Sequence, residues 1–403
     1  MEPTPRRRSL VVGWRGGVGQ AVLALLERHP IGRALAERRT LVLLDAESAP
    51  GVAPTGDVEV LPATRIGSAE QLREILVATR ADELVDVAGL DWRASLSVCG
   101  ELGIDSLGAS LERWDGSPRE DLLDDAWQLA PGRRPTTAGG SHVLAAGMNP
   151  GCVNALVDVA LAELARRSGV VGLDALEIGA IYITERDTTD CDAPGDGFAS
   201  SWSPRHCLTE LLTGPAPWID HGQTRHADHA PWQARYRVRC GDAVIDGALV
   251  PHDEVVTLSW RHPQAEVAYV VELPPRAHRW LEARLRPEAP VIRMWPPHTP
   301  NVRGRDLVGV LLCSRRFGEL WCGYDTDCAQ AAAYGTNATL LQVAAGVIAG
   351  WNRVGEREGA HVIEELDTEA FVDDVSAILG PWQVHHDRAV RFTSLPDRRR
   401  PSP

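Results

Sequence analysis

Ser9-Leu10-Val11-Val12-Gly13-Trp14-Arg15-Gly16-Gly17-Val18-Gly19-Gln20 decides the reading of this 403-residue chain. The apolar run Leu10–Val12 is short enough for a buried strand. The glycines then form G-x-x-G-x-x-G, or G-x-G-x-x-G with its first glycine displaced by one, and a helix follows over Ala21–Arg28. Glycine at Gly13, Gly16, Gly17 and Gly19 permits a tight turn, and it lets backbone approach a pyrophosphate at the helix N-terminus, with Val18 between. Outward from this loop, Thr40–Asp45 reads as a second strand ending in an acid. Asp45 lies 26 residues past Gly19, somewhat beyond the usual ~20-residue offset of a ribose-binding acid, and an acid there favours NAD over NADP. A glycine turn alone occurs in any α/β protein; the loop together with Asp45 makes the dinucleotide reading the stronger one.

The α/β rhythm continues. Ala69–Thr79 reads as an amphipathic helix, Glu83–Ala88 as a strand, Ala94–Leu102 as a helix and Ile104–Gly108 as a strand. Asp91 and Glu112 fall just past strand ends, where spacing alone makes them loop acids or helix caps. Val143–Ala146 is the next strand. The run Gly147-Met148-Asn149-Pro150-Gly151 is turn chemistry, with Asn149 placed to cap the following helix and Pro150 suited to its first turn.

Past Arg167 the texture changes. Ala175–Thr184, Tyr236–Arg239, Ala243–Leu249, Glu254–Trp260 and Glu266–Val271 read as strands, and Leu307–Cys313 with Glu319–Gly323 as a hairpin. Asn337–Asn352 is a nearly apolar, hence buried, helix. The fold class is therefore α/β: a Rossmann-type dinucleotide-binding domain plus an α+β substrate domain with a largely antiparallel sheet. The expected division is residues 1–148 for the first domain, with helix 336–352 packed back on it. Residues 149–335 form the substrate, catalytic and dimerisation domain, 353–395 complete the fold, and 396–403 are an Arg- and Pro-rich disordered tail.

Net charge is −14, which excludes nucleic acid as the expected partner and leaves room for a cationic one. The 41 basic residues counted as Lys and Arg are all arginine. A chain without lysine cannot form an enzyme-bound Schiff base, so pyridoxal-phosphate and lysine-aldolase chemistry are excluded. The eight cysteines make no CxxC pair, and Cys191, Cys207 and the nearby histidines match no closed zinc site, so no metal is expected. The N-terminus lacks a signal-peptide pattern, and no apolar run reaches the ~20 residues that span a bilayer. A cytoplasmic protein is expected.

Four stretches in this order resemble the saccharopine dehydrogenase-like superfamily, and within it the bacterial homospermidine synthases. They are Gly147–Gly151, Glu185-Arg186-Asp187-Thr188, Trp202-Ser203 with Glu210 following, and Asn337–Val343. Ser110–Trp114 and Arg315–Tyr324 are similar to the family too, and the likeness runs from about residue 10 to 390. It implies bound NAD that is reused within one turnover. A hydride leaves the carbon bearing a putrescine amine, a second putrescine displaces ammonia from the imine, and the hydride returns to give homospermidine. It further implies catalytic roles for Asn149, Glu185, Trp202 and Glu210, amine contacts for Asp91 and Glu112, and a homodimer. Carboxylates suit a dication, and an indole face adds roughly 0.5–2 kcal/mol of cation–π attraction.

The chain departs from that pattern near the same places. Arg15 stands for an aromatic, Gly17 for serine, Ser200-Ser201 for Asn-Thr, and Ala268–Glu272 for a run expected to carry histidine. Two other readings follow. One is an amine or amino-acid dehydrogenase or reductive condensing enzyme, similar to carboxynorspermidine or saccharopine reductases, which needs an arginine for an α-carboxylate (Arg205 or Arg235). The other is an inactive NAD-binding regulator.

Overall fold

Short apolar strands alternating with amphipathic helices build the first part of the molecule. The computed structural model describes residues 6–47, 58–113, 123–190, 198–284, 294–295 and 302–400. Trp114, Cys191 and the loop 191–197 lie outside the described residues. Two compact units result. One comprises residues 1–118, 131–155 and 340–380; the other comprises 119–130, 156–339 and 381–403.

In the first unit, seven strands among the described residues form an all-parallel sheet. From one edge they run Gly359–Val362, Ser141–Leu144, Asp105–Gly108, Glu83–Asp86, Arg7–Val12, Arg39–Leu44 and Val58–Val60. The order reverses between Arg7–Val12 and Glu83–Asp86, the position at which doubly wound sheets open a crevice at their carboxyl ends. Leu10, Val11, Val42 and Leu43 are fully buried, each worth roughly 1.5–3 kcal/mol relative to exposure.

The turn after Ser141–Leu144 closes on itself. Ala145 takes a left-handed φ of 57°, which costs an alanine roughly 1–2 kcal/mol. The Gly147 N–H donates to the Pro150 carbonyl at 2.9 Å, and the Cys152 N–H donates to the Gly147 carbonyl at 3.0 Å. A Cβ on Gly151 would meet Gly147 O at 2.5 Å. The helix starts at Cys152, past the proline, and Asn154 Oδ1 accepts the Gly151 N–H at 2.9 Å. Pro150 thus belongs to the turn and not to the helix's first turn as expected. The helix Ala338–Arg353 seats on this turn through glycine. A Cβ at Gly346 would lie 2.0 Å from Gly147 O, and one at Gly350 2.7 Å from Ala146 Cβ.

The second unit is built on a ten-stranded sheet among its described residues, mostly antiparallel. Its centre is Ile178–Asp187, antiparallel to Arg305–Ser314 on one side and parallel to Glu266–Glu272 on the other. The period of two divides the side chains. Ala180 and Tyr182 enter the apolar core with Ala268, Val270, Leu311 and Trp321. Ile183, Glu185 and Asp187 fall on the opposite face, as does Tyr269, the register partner of Ile183.

Two expectations are corrected. Glu254–Trp260 is not a strand but part of a helix, Asp253–Arg261. Its residues are buried nearly all round, which erases helical periodicity from the sequence. Asp253 and Glu254 in its first turn and Arg261 in its last suit the helix dipole. The tail is ordered as far as Arg400. Leu395 is buried, Pro396–Arg398 form a 3-10 turn, and Arg399–Arg400 pair with Arg235–Tyr236. Composition predicts disorder there, but Arg398 is held by Glu319 at 2.6 Å, both buried. Among the described residues no helix is long and apolar enough to cross a membrane, and the seven described cysteines are buried free thiols.

Candidate functional site

The candidate residues divide between the units. In the first, the strand Arg7–Val12 delivers the chain to Gly13, whose φ is 88°. A Cβ on Gly13 would sit 2.7 Å from Ala88, and one on Gly19 would sit 2.3 Å from Gly13 O. These two glycines are demanded by backbone approaching backbone. Gly16 precedes the helix Gly17–Arg28, which has no side-chain N-cap. Its first N–H groups therefore point to an anion site of the kind a pyrophosphate fills. Asp45 follows the strand Arg39–Leu44, and its carboxylate accepts N–H groups from Arg15 at 2.9 Å and Glu47 at 3.2 Å. The acid is thereby fixed against the glycine loop. Residues Gly13, Gly16, Gly17, Val18, Gly19 and Asp45 thus fit a dinucleotide.

Asp86 ends the strand beside the loop. Its buried carboxylate accepts N–H groups from Ala88, Gly89 and Leu90 at 2.8, 3.1 and 2.8 Å. Burial, with a smaller push from Glu112, still raises its pKa to about 6. The structure brings Asp91 and Glu112 together: the Trp92 N–H donates to the Glu112 carbonyl at 3.0 Å, and a bridge joins the two residues. Asp91 is the N-cap of the helix Trp92–Leu102, with Oδ1 accepting N–H groups from Arg93 and Ala94 at 3.1 and 3.0 Å. Glu112 lies over Gly89, where a Cβ would meet its Cγ at 2.9 Å. Asn149 is half-buried in the closed Gly147–Gly151 turn.

In the second unit, Glu185 is buried near the end of Ile178–Asp187, and the Tyr269 hydroxyl donates to its Oε2. The helix Pro204–Leu212 carries Glu210; Trp202 stands just before it, and the Ser203 side chain caps it. Trp202 is half-buried and stacks on His206, with ring centroids 5.9 Å apart and an interplanar angle of 19°. Burial raises Glu210 to about 8; the neighbouring His252 cation opposes this, while Glu254 and Glu185 add to it. Glu185 and Glu210 thus share one electrostatic neighbourhood.

Three members of that neighbourhood are absent from the sequence-based set: Tyr269, His252 and Glu254. The Tyr269 ring meets His252 edge to face, centroids 4.7 Å apart at 66°. His252 Nδ1 bonds Glu254 Oε2. Burial pulls the His252 pKa down, but Glu254 and Glu210 outweigh this and raise it to about 10. Glu254 is fully buried, and its Oε1 has no hydrogen-bond partner among the described residues. A buried acceptor left so costs roughly 1–3 kcal/mol. An acid directly before the largely apolar run Val255–Leu258 was the signal available for Glu254. Tyr269 was reachable only by knowing which strand adjoins Glu185.

Beyond Glu185, Asp187 accepts the Thr189 N–H at 2.7 Å, and its register partner Asp306 accepts the Thr339 hydroxyl at 2.5 Å. Burial first, then Glu185 and Asp187, drives Asp306 well above the usual carboxylate range. Acids crowded together and buried resist ionising at the same time, and an arriving cation favours their charged forms. Of the arginines considered for an α-carboxylate, Arg235 donates to the Trp232 and Ala234 carbonyls at 2.8 and 3.1 Å and reaches His278 Nε2 at 2.6 Å.

No family model matches the chain. A curated relative, homospermidine synthase of Blastochloris viridis, is 26% identical over 430 residues, covering 91% of this chain and 88% of that one. A solved homospermidine synthase of Legionella pneumophila, in complex with NAD, superposes with a TM-score of 0.76 at 20% identity, covering 95% of this chain and 92% of that one. In sequence and in fold, the chain is homospermidine synthase-like over nearly its whole length.

Proposed function

We propose that the chain is an NAD-dependent, redox-neutral enzyme that joins two amines through an imine, converting two putrescines to homospermidine and ammonia. The observation that carries this is the cluster of carboxylates in the second unit, Glu185, Glu210 and Glu254, in a chain with no lysine. A cationic substrate would supply the missing charge. An imine formed between two substrates needs no lysine. The whole-length likeness to two homospermidine synthases supports the same reading.

The loop residues Gly13, Gly16, Gly17, Val18 and Gly19 hold the dinucleotide phosphates, and Asp45 the ribose. Held there, NAD would supply the hydride chemistry: acceptance from the amine-bearing carbon and return to the condensed imine. Glu185 holds one substrate ammonium. Glu210, with its pKa near 8, takes the proton an ammonium must lose before its nitrogen can attack, and returns one to the departing ammonia. The Trp202 indole lies against the cationic carbon–nitrogen unit. Asn149 holds an amine or a carboxamide, and Asp91 and Glu112 add negative charge for a distal ammonium. We infer that the protein works as a cytoplasmic homodimer.

The test is incubation with NAD and putrescine, with product analysis by mass spectrometry. Homospermidine and ammonia without net NADH are expected. Accumulating NADH with an oxidised amine would favour a dehydrogenase, although the backbone contacts of Arg235 leave it poorly disposed to grip an α-carboxylate. No turnover with any diamine or amino-acid amine would sink every enzymatic reading. Trp202→Ala should reduce condensation by at least about tenfold while NAD binding, followed by fluorescence, is unchanged.

A further inference from the structure

Groups on other elements surround Glu185 and Glu210: Tyr269 touches Glu185, and the charges of His252 and Glu254 act on Glu210. His252 lies just before the helix Asp253–Arg261, and Glu254 lies in that helix's first turn. Tyr269 lies on the strand Glu266–Glu272, parallel to the strand of Glu185. We propose that His252 and Glu254 form the positioning pair of the amine site. The imidazolium held by Glu254 fixes the Tyr269 ring, Tyr269 clamps Glu185, and the same fixed cation offsets the negative charge that Glu210 faces. This role rests on the function proposed above.

Each link is a contact. Glu254 Oε2 accepts from His252 Nδ1, the imidazole meets the Tyr269 ring at 4.7 Å, and the Tyr269 hydroxyl donates to Glu185 Oε2. The groups facing His252 are Glu254 and Asp253 from its own side, Glu210 from the helix Pro204–Leu212, and Tyr269 from the sheet, with Glu185 behind it. Acids outnumber the imidazolium there, so His252 stays charged across the working range despite burial. A neutral residue in its place would leave Glu185, Glu210 and Glu254 to repel one another. The second carboxylate oxygen of Glu254, buried and unpartnered among the described residues, shows that the pair does not exhaust the negative charge of the cluster. What is left is available to an ammonium.

The two halves of the pair act on Glu210 with opposite sign: the cation lowers its pKa and Glu254 raises it. In a protein that makes homospermidine from putrescine, His252→Gln should move the limb of the kcat–pH profile that follows Glu210 upward by about one pH unit. Glu254→Gln should move the same limb downward. Tyr269→Phe keeps the ring and removes the clamp, so kcat should fall by about tenfold with KM for putrescine nearly unchanged. Opposite shifts are a signature of charge that loss of packing does not produce. Limbs that stay in place, or that move the same way in both variants, overturn the proposal. Carbon and nitrogen NMR of the His252 ring in the unsubstituted protein guards against variants that do not fold. A charged ring at pH 7.5 is expected, and a neutral one overturns the proposal. Wild-type protein that makes no product from any diamine overturns the functional reading and this role with it, whereas wild-type turnover with unmoved limbs overturns this role alone.

Discussion

Glu83, at the centre of the first sheet, is 1% exposed and well answered. Arg39 Nε lies 2.5 Å from Oε1, the Ser9 hydroxyl and the Trp351 indole N–H donate to the same oxygen at 2.5 and 2.9 Å, and Arg7 stands 3.5 Å from Oε2. Glu185, at the centre of the second sheet, is also buried; the Tyr269 hydroxyl donates to it, and its neighbours include the acids Glu210 and Asp306. Both acids are buried strand residues in large sheets. One sits in a balanced charge set, as structure requires. The other sits where negative charge has accumulated, and a buried imbalance is tolerated where a ligand or a shared proton corrects it.

Two substitutions test that contrast from opposite ends. Glu83→Gln leaves the Arg39 guanidinium buried beside a neutral group, and should cost about 3–5 kcal/mol of unfolding free energy, read by urea denaturation. Glu185→Gln relieves repulsion, so its unfolding midpoint should hold or rise, while kcat/KM for homospermidine formation should fall by roughly 10–10²-fold, the loss of one charged contact to the substrate ammonium. If Glu185→Gln unfolds as readily as Glu83→Gln, both acids are structural and the contrast collapses.

The contrast also predicts how stability follows pH. A carboxyl raised from 4.5 to about 8 in the folded chain binds a proton that the unfolded chain has lost. Its contribution is full below 4.5 and is lost as pH climbs through about 8. His252, raised from 6.5 to about 10, adds a loss of the same sign, but mainly above 6.5. Between pH 5 and 6.5 His252 therefore contributes only a minor part of the slope. Glu210→Gln should flatten it there by on the order of 1 kcal/mol per pH unit, somewhat below the 1.4 of a full proton because the unfolded carboxyl is still partly protonated near pH 5. Urea unfolding at pH 5 and 6.5 checks this. An unchanged slope would mean that Glu210 ionises like an ordinary surface acid.

What the sequence disclosed follows from what is local. The glycine loop, Asp45 and the closed turn at Gly147–Gly151 are contiguous, and each residue's constraint comes from its own backbone or a near neighbour. Glu185 and Trp202 entered the candidate set only through likeness to a family, because neither has a local signature: one is an acid at a strand end, the other a tryptophan among 13. His252, Glu254 and Tyr269 were missed because their meaning is made by register. Only when Glu266–Glu272 lies parallel to Ile178–Asp187 does Tyr269 reach Glu185. The helix Asp253–Arg261 was misread for a related reason, since a helix buried on all sides shows no polar stripe. At 396–400 composition pointed to disorder, but the buried Leu395, the buried Arg398–Glu319 ion pair and the pairing of Arg399–Arg400 with Arg235–Tyr236 hold these residues, and all of these partners except Leu395 are distant in sequence.

The finest test concerns Asp91, an acid of the first unit that the proposed function also offers to the substrate. Its Oδ1 takes the Arg93 and Ala94 N–H groups, the work of a helix cap. Asp91→Ala should therefore cost about 1 kcal/mol of stability, the usual price of losing such a cap. Asp91→Ser retains a capping oxygen and removes the charge, so its stability should stay within about 0.5 kcal/mol of wild type. Whatever rise in KM for putrescine remains in Asp91→Ser is then the share owed to charge. A rise of about two- to fivefold is expected, in line with the weak attraction of a partly solvated pair. No rise would assign Asp91 to the cap alone and sharpen the division between the units. A rise beyond about tenfold would move Asp91 into the same class as Glu185, and the division would then run between residues within the first unit, not between the units themselves.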